Sequence, residues 1–150
     1  MPETPRTIED IDSSVPPVTA GEKLYRRLLL GAWFKPGRPS PIPQRFFMPR
    51  PWVSEDRRGD YDGISVNRAA LIDLETAARR PDNGEKAHVA EFAVSDAVDL
   101  GMTVQPQPLA TDRSHAVIPE LNSIDLRDVQ KAVKIDEWAI ALRNKATLIC

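Results

Sequence analysis

The sequence predicts an α+β fold: a small mixed or antiparallel sheet with one mid-chain helix and a C-terminal helical pair. Three observations carry this expectation. Short apolar runs closed by proline or glycine recur along the chain, which is a strand signature. One stretch, from Asn67 to Arg80, repeats its apolar residues at helical spacing. The pattern after Ser123 is helical throughout, and segregated strands and helices point to α+β.

The elements follow in chain order. Residues 1–22 read as a flexible acidic N-terminal arm, with little to bury and a Pro16-Pro17 break. Residues 23–150 then form a single domain. Lys23–Leu30 fits a strand or a short helix, and the strand is preferred because Trp33 and Phe34 prolong its apolar run as far as Pro36. Residues 35–63 are a Pro/Arg-rich loop region, interrupted by a short strand at Arg45–Met48 and ended by the turn signal Asp62-Gly63. Ile64–Val66 is a strand, and Asn67 suits the cap of the following helix because its side chain can accept from free N–H groups. Ala70, Leu71, Leu74, Ala77 and Ala78 share that helix's inner face, and Pro81 stops it. Residues 87–100 fit one helix, or a strand His88–Val94 followed by a short helix capped by Ser95, and the second is preferred. Met102–Gln105 and His115–Ile118 are further strands, each ended by proline. In the C-terminal region, Leu126, Val129 and Val133 share one face, while Ile135, Trp138, Ala139, Leu142 and Ala146 share a nearly opposite one. A rotation of that size means either one helix buried on two sides or a break near Lys134-Ile135-Asp136, and two helices are preferred because Asp136 would cap the second.

Composition narrows the function classes. A chain of 150 residues with 41% hydrophobic and 28% charged content can build one core, and it is neither a coiled coil nor collagen-like. The longest apolar run, Leu28–Phe34, falls far short of the ~18 residues of a membrane span, so no membrane partner is expected. The acidic, proline-broken N-terminus does not read as a signal peptide. A lone cysteine, Cys150, excludes a disulfide framework and a multi-cysteine metal site, so a reducing cytoplasm is the expected location.

Charge and proline are segregated. Ten of the 14 prolines lie at or before position 51. Net charge is −3 over residues 1–25, +6 over 26–58 and −5 over the remainder. The basic stretch interleaves Lys35, Arg38, Arg45 and Arg50 with Phe34, Phe46, Phe47 and Trp52. Guanidinium forks match acidic groups, and a stiff proline-rich loop loses little entropy on ordering. The first functional expectation is therefore a non-catalytic binding module that recognises an acidic protein partner through Lys35, Arg38, Arg45, Arg50 and Trp52. Nucleic acid is the less favoured partner, because the acidity of the rest of the chain opposes it. A helix-turn-helix in the C-terminal region is disfavoured too, since Arg143 and Lys145 come late in the second helix, whereas bases are read from the first turns.

The alternative is a small enzyme acting on a nucleotide or phosphorylated substrate. Its candidate residues are Arg26, Ser65, Arg68, His88 and His115: arginines for anions, histidines for proton transfer, and a serine at a strand-to-helix junction. No metal motif, glycine-rich phosphate loop or G-x-S-x-G elbow is present, and no metal or cofactor is expected. The pieces Leu24-Tyr25-Arg26 and Ile64-Ser65-Val66 loosely resemble the Arg…Ser layout of ADP-ribosyltransferase-like enzymes. That resemblance would imply an arginine and a serine holding a nicotinamide cofactor, with a later glutamate or histidine acting on it. It covers two three-residue pieces and lacks the family's serine-threonine-serine run.

Overall fold

In a computed structural model of the chain, the structure describes residues 15–28, 42–50, 60–79 and 84–149. It is an α+β arrangement around one sheet. Strands β1 (Lys23–Leu28), β2 (Ile64–Arg68), β3 (His88–Ala93), β4 (Gln105–Pro106), β5 (His115–Ile118) and β6 (Thr147–Leu148) pair in the order β4-β5-β2-β1-β3-β6. Every pairing is antiparallel.

The pleat sorts side chains onto two faces. Register places Leu24 opposite Phe92 and Arg68, Arg26 opposite Ala90, and Val66 opposite Ala116. These residues, with Leu28, Ile64, Ile118 and Leu148, form the core face. Helix α3 (Val129–Lys145) and a 3-10 turn (Gln44–Phe47) cover it, bringing Ile135, Ala139, Leu142, Phe46 and Phe47 inward. Phe47 packs edge-on against Phe92, with ring centroids 6.0 Å apart. The other face carries Tyr25, Arg27, Ser65, Asn67, Glu91 and His115 and is only partly covered. Helix α1 (Leu74–Ala77) lies on part of it, buries Ala77 and Ala78, and is tied down by Arg27 Nε, which donates to the Ala77 carbonyl at 2.7 Å.

Several expected elements differ. Arg45–Met48 is not a strand. Neighbouring strand residues point to opposite faces, whereas a 3-10 turn after Pro43 puts both Phe46 and Phe47 into one core. Asn67 does not cap a helix: β2 continues through Arg68, whose N–H donates to the Ser114 carbonyl at 2.8 Å. The mid-chain helix shrinks to a 3-10 turn (Ala69–Leu71) and α1, with Asp73 as N-cap accepting from the Thr76 N–H at 2.7 Å.

Residues 88–98 form strand and short helix α2 (Val94–Val98), as preferred, but Ser95 is not its cap. Asp96 instead reaches back to accept from the Ala93 N–H at 2.8 Å. Only Gln105 of Met102–Gln105 enters a strand, while Met102 and Val104 are buried.

The C-terminal pair does not divide at 134–136. A 3-10 turn (Asp125–Arg127) precedes one continuous α3, and the boundary is Asp128, which caps the Gln130 and Lys131 N–H groups. The Ile135–Leu142 stripe is buried, while Val129 and Val133 stay exposed at 81% and 54%. Two stripes therefore do not mean two helices here, and no helix-turn-helix forms. Among the described residues, no helix is long and apolar enough to cross a membrane.

The described part of the acidic arm, residues 15–22, is anchored. Arg68 is buried on the core face; its Nε and Nη2 donate to Glu22 at 2.6 and 3.0 Å, and it also donates to the Pro16 and Pro17 carbonyls.

Candidate active site

Ser65 and His115 meet on the open face. Ser65 faces Val117 across the β2–β5 ladder, and Asn67 faces His115. Ser65 and His115 are thus diagonal neighbours on one face, a separation that side chains can bridge. Ser65 Oγ lies 3.1 Å from His115 Nε2, and His115 Nδ1 lies 3.0 Å from the Gln107 carbonyl oxygen.

The partners decide the direction of these bonds. A carbonyl oxygen only accepts, so in the neutral ring Nδ1 carries the proton and Nε2 presents its lone pair. The Ser65 hydroxyl then donates to Nε2. This is the polarity in which a histidine takes a proton from a serine, with the Gln107 carbonyl as orienting group.

The surroundings hold this geometry. The Gln107 N–H donates to the His115 carbonyl at 2.9 Å and extends the ladder past β4. Asp112 accepts from Asn67 Nδ2 at 2.9 Å and from Ser114 Oγ at 2.5 Å, so the connection from 107 to 115 is latched onto β2. Asn67 Nδ2 also donates to Ser114 Oγ at 2.8 Å. On the core side of β2, Arg26 Nη1 donates to the Ser65 carbonyl at 2.7 Å. Ser65 is thereby gripped through its backbone from one face and through its hydroxyl from the other.

A cleft of about 280 Å³ opens beside Ser65, lined by Asp60, Tyr61, Asp62, Gly63, Gln107 and Val117. Its rim is made by the turn expected at Asp62-Gly63. Gly63 has φ +120°, and a Cβ there would collide with the Ile118 carbonyl, so only glycine brings the turn this close to β5. Asp60 is buried and accepts from the Arg50 N–H at 2.8 Å and from its guanidinium at 3.2 Å.

Ser65 is the sequence candidate that lines this cleft, His115 is tied to it through the Ser65 hydroxyl, and the other candidates do not join them. His88 lies on the core face opposite Leu28, with β1 between its strand and β2. Arg68 clamps Glu22. Arg26 points to the core face, and burial lowers its pKa to about 10. Its guanidinium donates to the Phe46 and Ser65 backbone carbonyls and so meets Ser65 through the main chain, and the Arg…Ser arrangement of the ADP-ribosyltransferase-like layout does not assemble.

Of the partner-binding candidates, Arg45 is exposed with its guanidinium 5.0 Å above the Phe46 ring, and Arg50 projects from the same segment. Lys35, Arg38 and Trp52 lie outside the described residues. Among the described residues, no group of His, Cys, Asp and Glu is placed to hold a metal ion. Gln107 and Asp112 were not among the sequence candidates. Gln107 acts through its backbone carbonyl, which leaves no trace in residue type, whereas Asp112-x-Ser114 ahead of a strand carries an Asx-turn signal.

No protein-family model, curated protein or solved structure matches the chain.

Proposed function

We propose that this chain is a small cytoplasmic enzyme of the serine-nucleophile kind, acting on a compact acyl compound without negative charge. The observation that carries the reading is the Ser65–His115 hydrogen bond, with its direction set by the Gln107 carbonyl. In the reaction, Ser65 Oγ adds to the acyl carbon as its proton passes to His115 Nε2. His115 returns that proton to the leaving alcohol oxygen, giving an acyl-Ser65. Water, deprotonated by the same nitrogen, then releases the acid and restores the hydroxyl. The cleft is small, which favours a short acyl group, and Asp62 on its rim disfavours phosphorylated or carboxylate-bearing substrates.

The test is hydrolysis of uncharged short-chain aryl esters by the purified chain. Turnover should exceed the buffer rate and fall on the order of 10²–10⁴-fold in both Ser65→Ala and His115→Gln. Equal rates for wild type and Ser65→Ala contradict the proposal.

A second reading, recognition of an acidic protein partner by the 35–52 stretch, is favoured by one observation. Phe46 and Phe47 anchor the stretch in the core while Arg45 and Arg50 remain exposed beside them. Replacing Arg38, Arg45 and Arg50 together with alanine should then abolish retention on an immobilised acidic peptide while leaving the fold intact. Unchanged retention rejects it.

A further inference from the structure

Gln107 orients His115 through its backbone carbonyl, and strand register brings its side chain to the same face. β4 pairs Gln105 with Val117 and Pro106 with Ala116, and the Gln107 N–H donates to the His115 carbonyl at 2.9 Å, so Gln107 stands opposite His115. The pleat then turns the Gln105 and Gln107 side chains to the face that carries Ser65, His115 and Val117. One imidazole ring and its two hydrogen bonds, of 3.0 and 3.1 Å, separate the Gln107 main chain from the Ser65 hydroxyl. The cleft crosses β5 over Val117, with Ser65 on one side and Gln107 on the other.

Attack by Ser65 needs a hydrogen-bond donor for the acyl carbonyl oxygen, which becomes negative as Oγ adds. The lining of the cleft offers few. The Asp60 and Asp62 carboxylates only accept, and Val117 is apolar. The Ser65 hydroxyl is directed at His115, and the Gly63 N–H donates to the Asp60 carbonyl at 3.3 Å. Tyr61 has a side-chain donor but already has a partner. Gln107 carries two N–H donors on its side chain, and its hydrogen bonds among the described residues are made by its main chain alone.

We propose that the Gln107 side-chain amide is the oxyanion donor of this site. One residue then orients the base through its backbone carbonyl and receives the developing charge through Nε2. This role rests on the proposed Ser65 reaction and supplies its electrostatic part. As Ser65 Oγ bonds to the acyl carbon, its proton passes to His115 Nε2 and the carbonyl π pair moves onto oxygen, where the Gln107 amide N–H stabilises it. That pair then returns to the C–O double bond as the leaving alcohol departs with the proton from His115.

The test replaces Gln107 with Met, which keeps the side-chain length and the backbone carbonyl but has no donor. In Gln107→Met, kcat for an uncharged short-chain aryl ester should fall on the order of 10²–10³-fold with KM little changed. Long-range 1H–15N NMR should still find His115 protonated at Nδ1, which separates loss of the donor from loss of the orienting carbonyl. Tyr61→Phe should keep the wild-type kcat. In the wild-type chain, a small trifluoromethyl ketone should form a hemiketal on Ser65, and the Gln107 side-chain N–H resonances should move with it, a readout that holds whether or not a variant folds. Comparison of wild type with Ser65→Ala reads the underlying hydrolysis, and equal rates there remove the reaction and the donor role together. A wild type that turns over the ester overturns the donor role alone in three cases: Gln107→Met is equally active, the loss falls on Tyr61→Phe instead, or the Gln107 resonances stay unmoved in the hemiketal.

Discussion

The Ser65 hydroxyl lies 3.1 Å from His115 Nε2, although the two residues are 50 positions apart in the chain. The β2–β5 register brings them together, and the Gln107 carbonyl turns the ring so that a lone pair meets the hydroxyl. The tautomer is therefore a prediction in its own right. At a pH where the ring is neutral, long-range 1H–15N NMR should find His115 protonated at Nδ1 and bare at Nε2. Ser65→Ala should leave that assignment unchanged, because Gln107 sets it. A ring protonated at Nε2 would reverse the direction of the bond and remove the basis for serine activation.

Glu22 and Arg68 should be a major stabilising pair. Their side chains are 7% and 2% exposed, and Glu22→Ala leaves the Arg68 charge buried without its partner. Loss of one member of a buried pair costs about 3–5 kcal/mol. Urea denaturation should show this as a lower midpoint at similar slope. A midpoint within error of wild type would mean that the 15–22 segment does not hold Arg68 in solution.

Gly63→Ala should damage both fold and cleft. The residue sits at φ +120°, and the added methyl meets the Ile118 backbone rather than a side chain that could swing away. The expected loss is about 1–3 kcal/mol or more, read as a fall in Tm, because both the conformation and the space are wrong. Ester hydrolysis should fall with it, since the turn lines the cleft. An unaltered Tm would show that the turn can move off β5.

Asp73 provides a pH test. The Thr76 N–H donates to its carboxylate and holds its pKa below the ordinary aspartate value. A pKa depressed by folding adds stability that is present above the unfolded-state pKa and is lost as pH falls through the folded-state value. The Asp73 carboxyl should titrate lower than a free aspartate in 13C NMR. Asp73→Asn, which can still cap, should lack this part of the acid-side loss. An ordinary titration midpoint for Asp73 contradicts the cap.

The α+β class was legible in local pattern, because β2 follows the Asp62-Gly63 turn signal and β5 is an apolar run closed by Pro119, whereas the residues of β3 also fitted a helix. What misled were residues whose role is set by distant partners. Asn67 has the chemistry of a cap but is claimed by Asp112 and Ser114. Phe46-Phe47 has strand composition but turns as a 3-10 helix so that both rings reach the core. Val129 and Val133 repeat at helical spacing yet face solvent, so the stripe they start is not a second buried face. At the candidate site, Ser65 and His115 could each be picked out by residue type. Their meeting depends on strand register, and the orienting group is a backbone carbonyl, which no residue letter encodes.

The central claim is that His115 makes Ser65 a nucleophile, and covalent labelling tests it most directly. The chain is incubated with a small uncharged fluorophosphonate, then analysed by intact mass and peptide mapping. The account predicts one adduct per chain, located on Ser65, absent in Ser65→Ala and slowed on the order of 10²-fold or more in His115→Gln. No adduct on the folded wild-type chain, or an adduct on Ser65 at the same rate without His115, would contradict it.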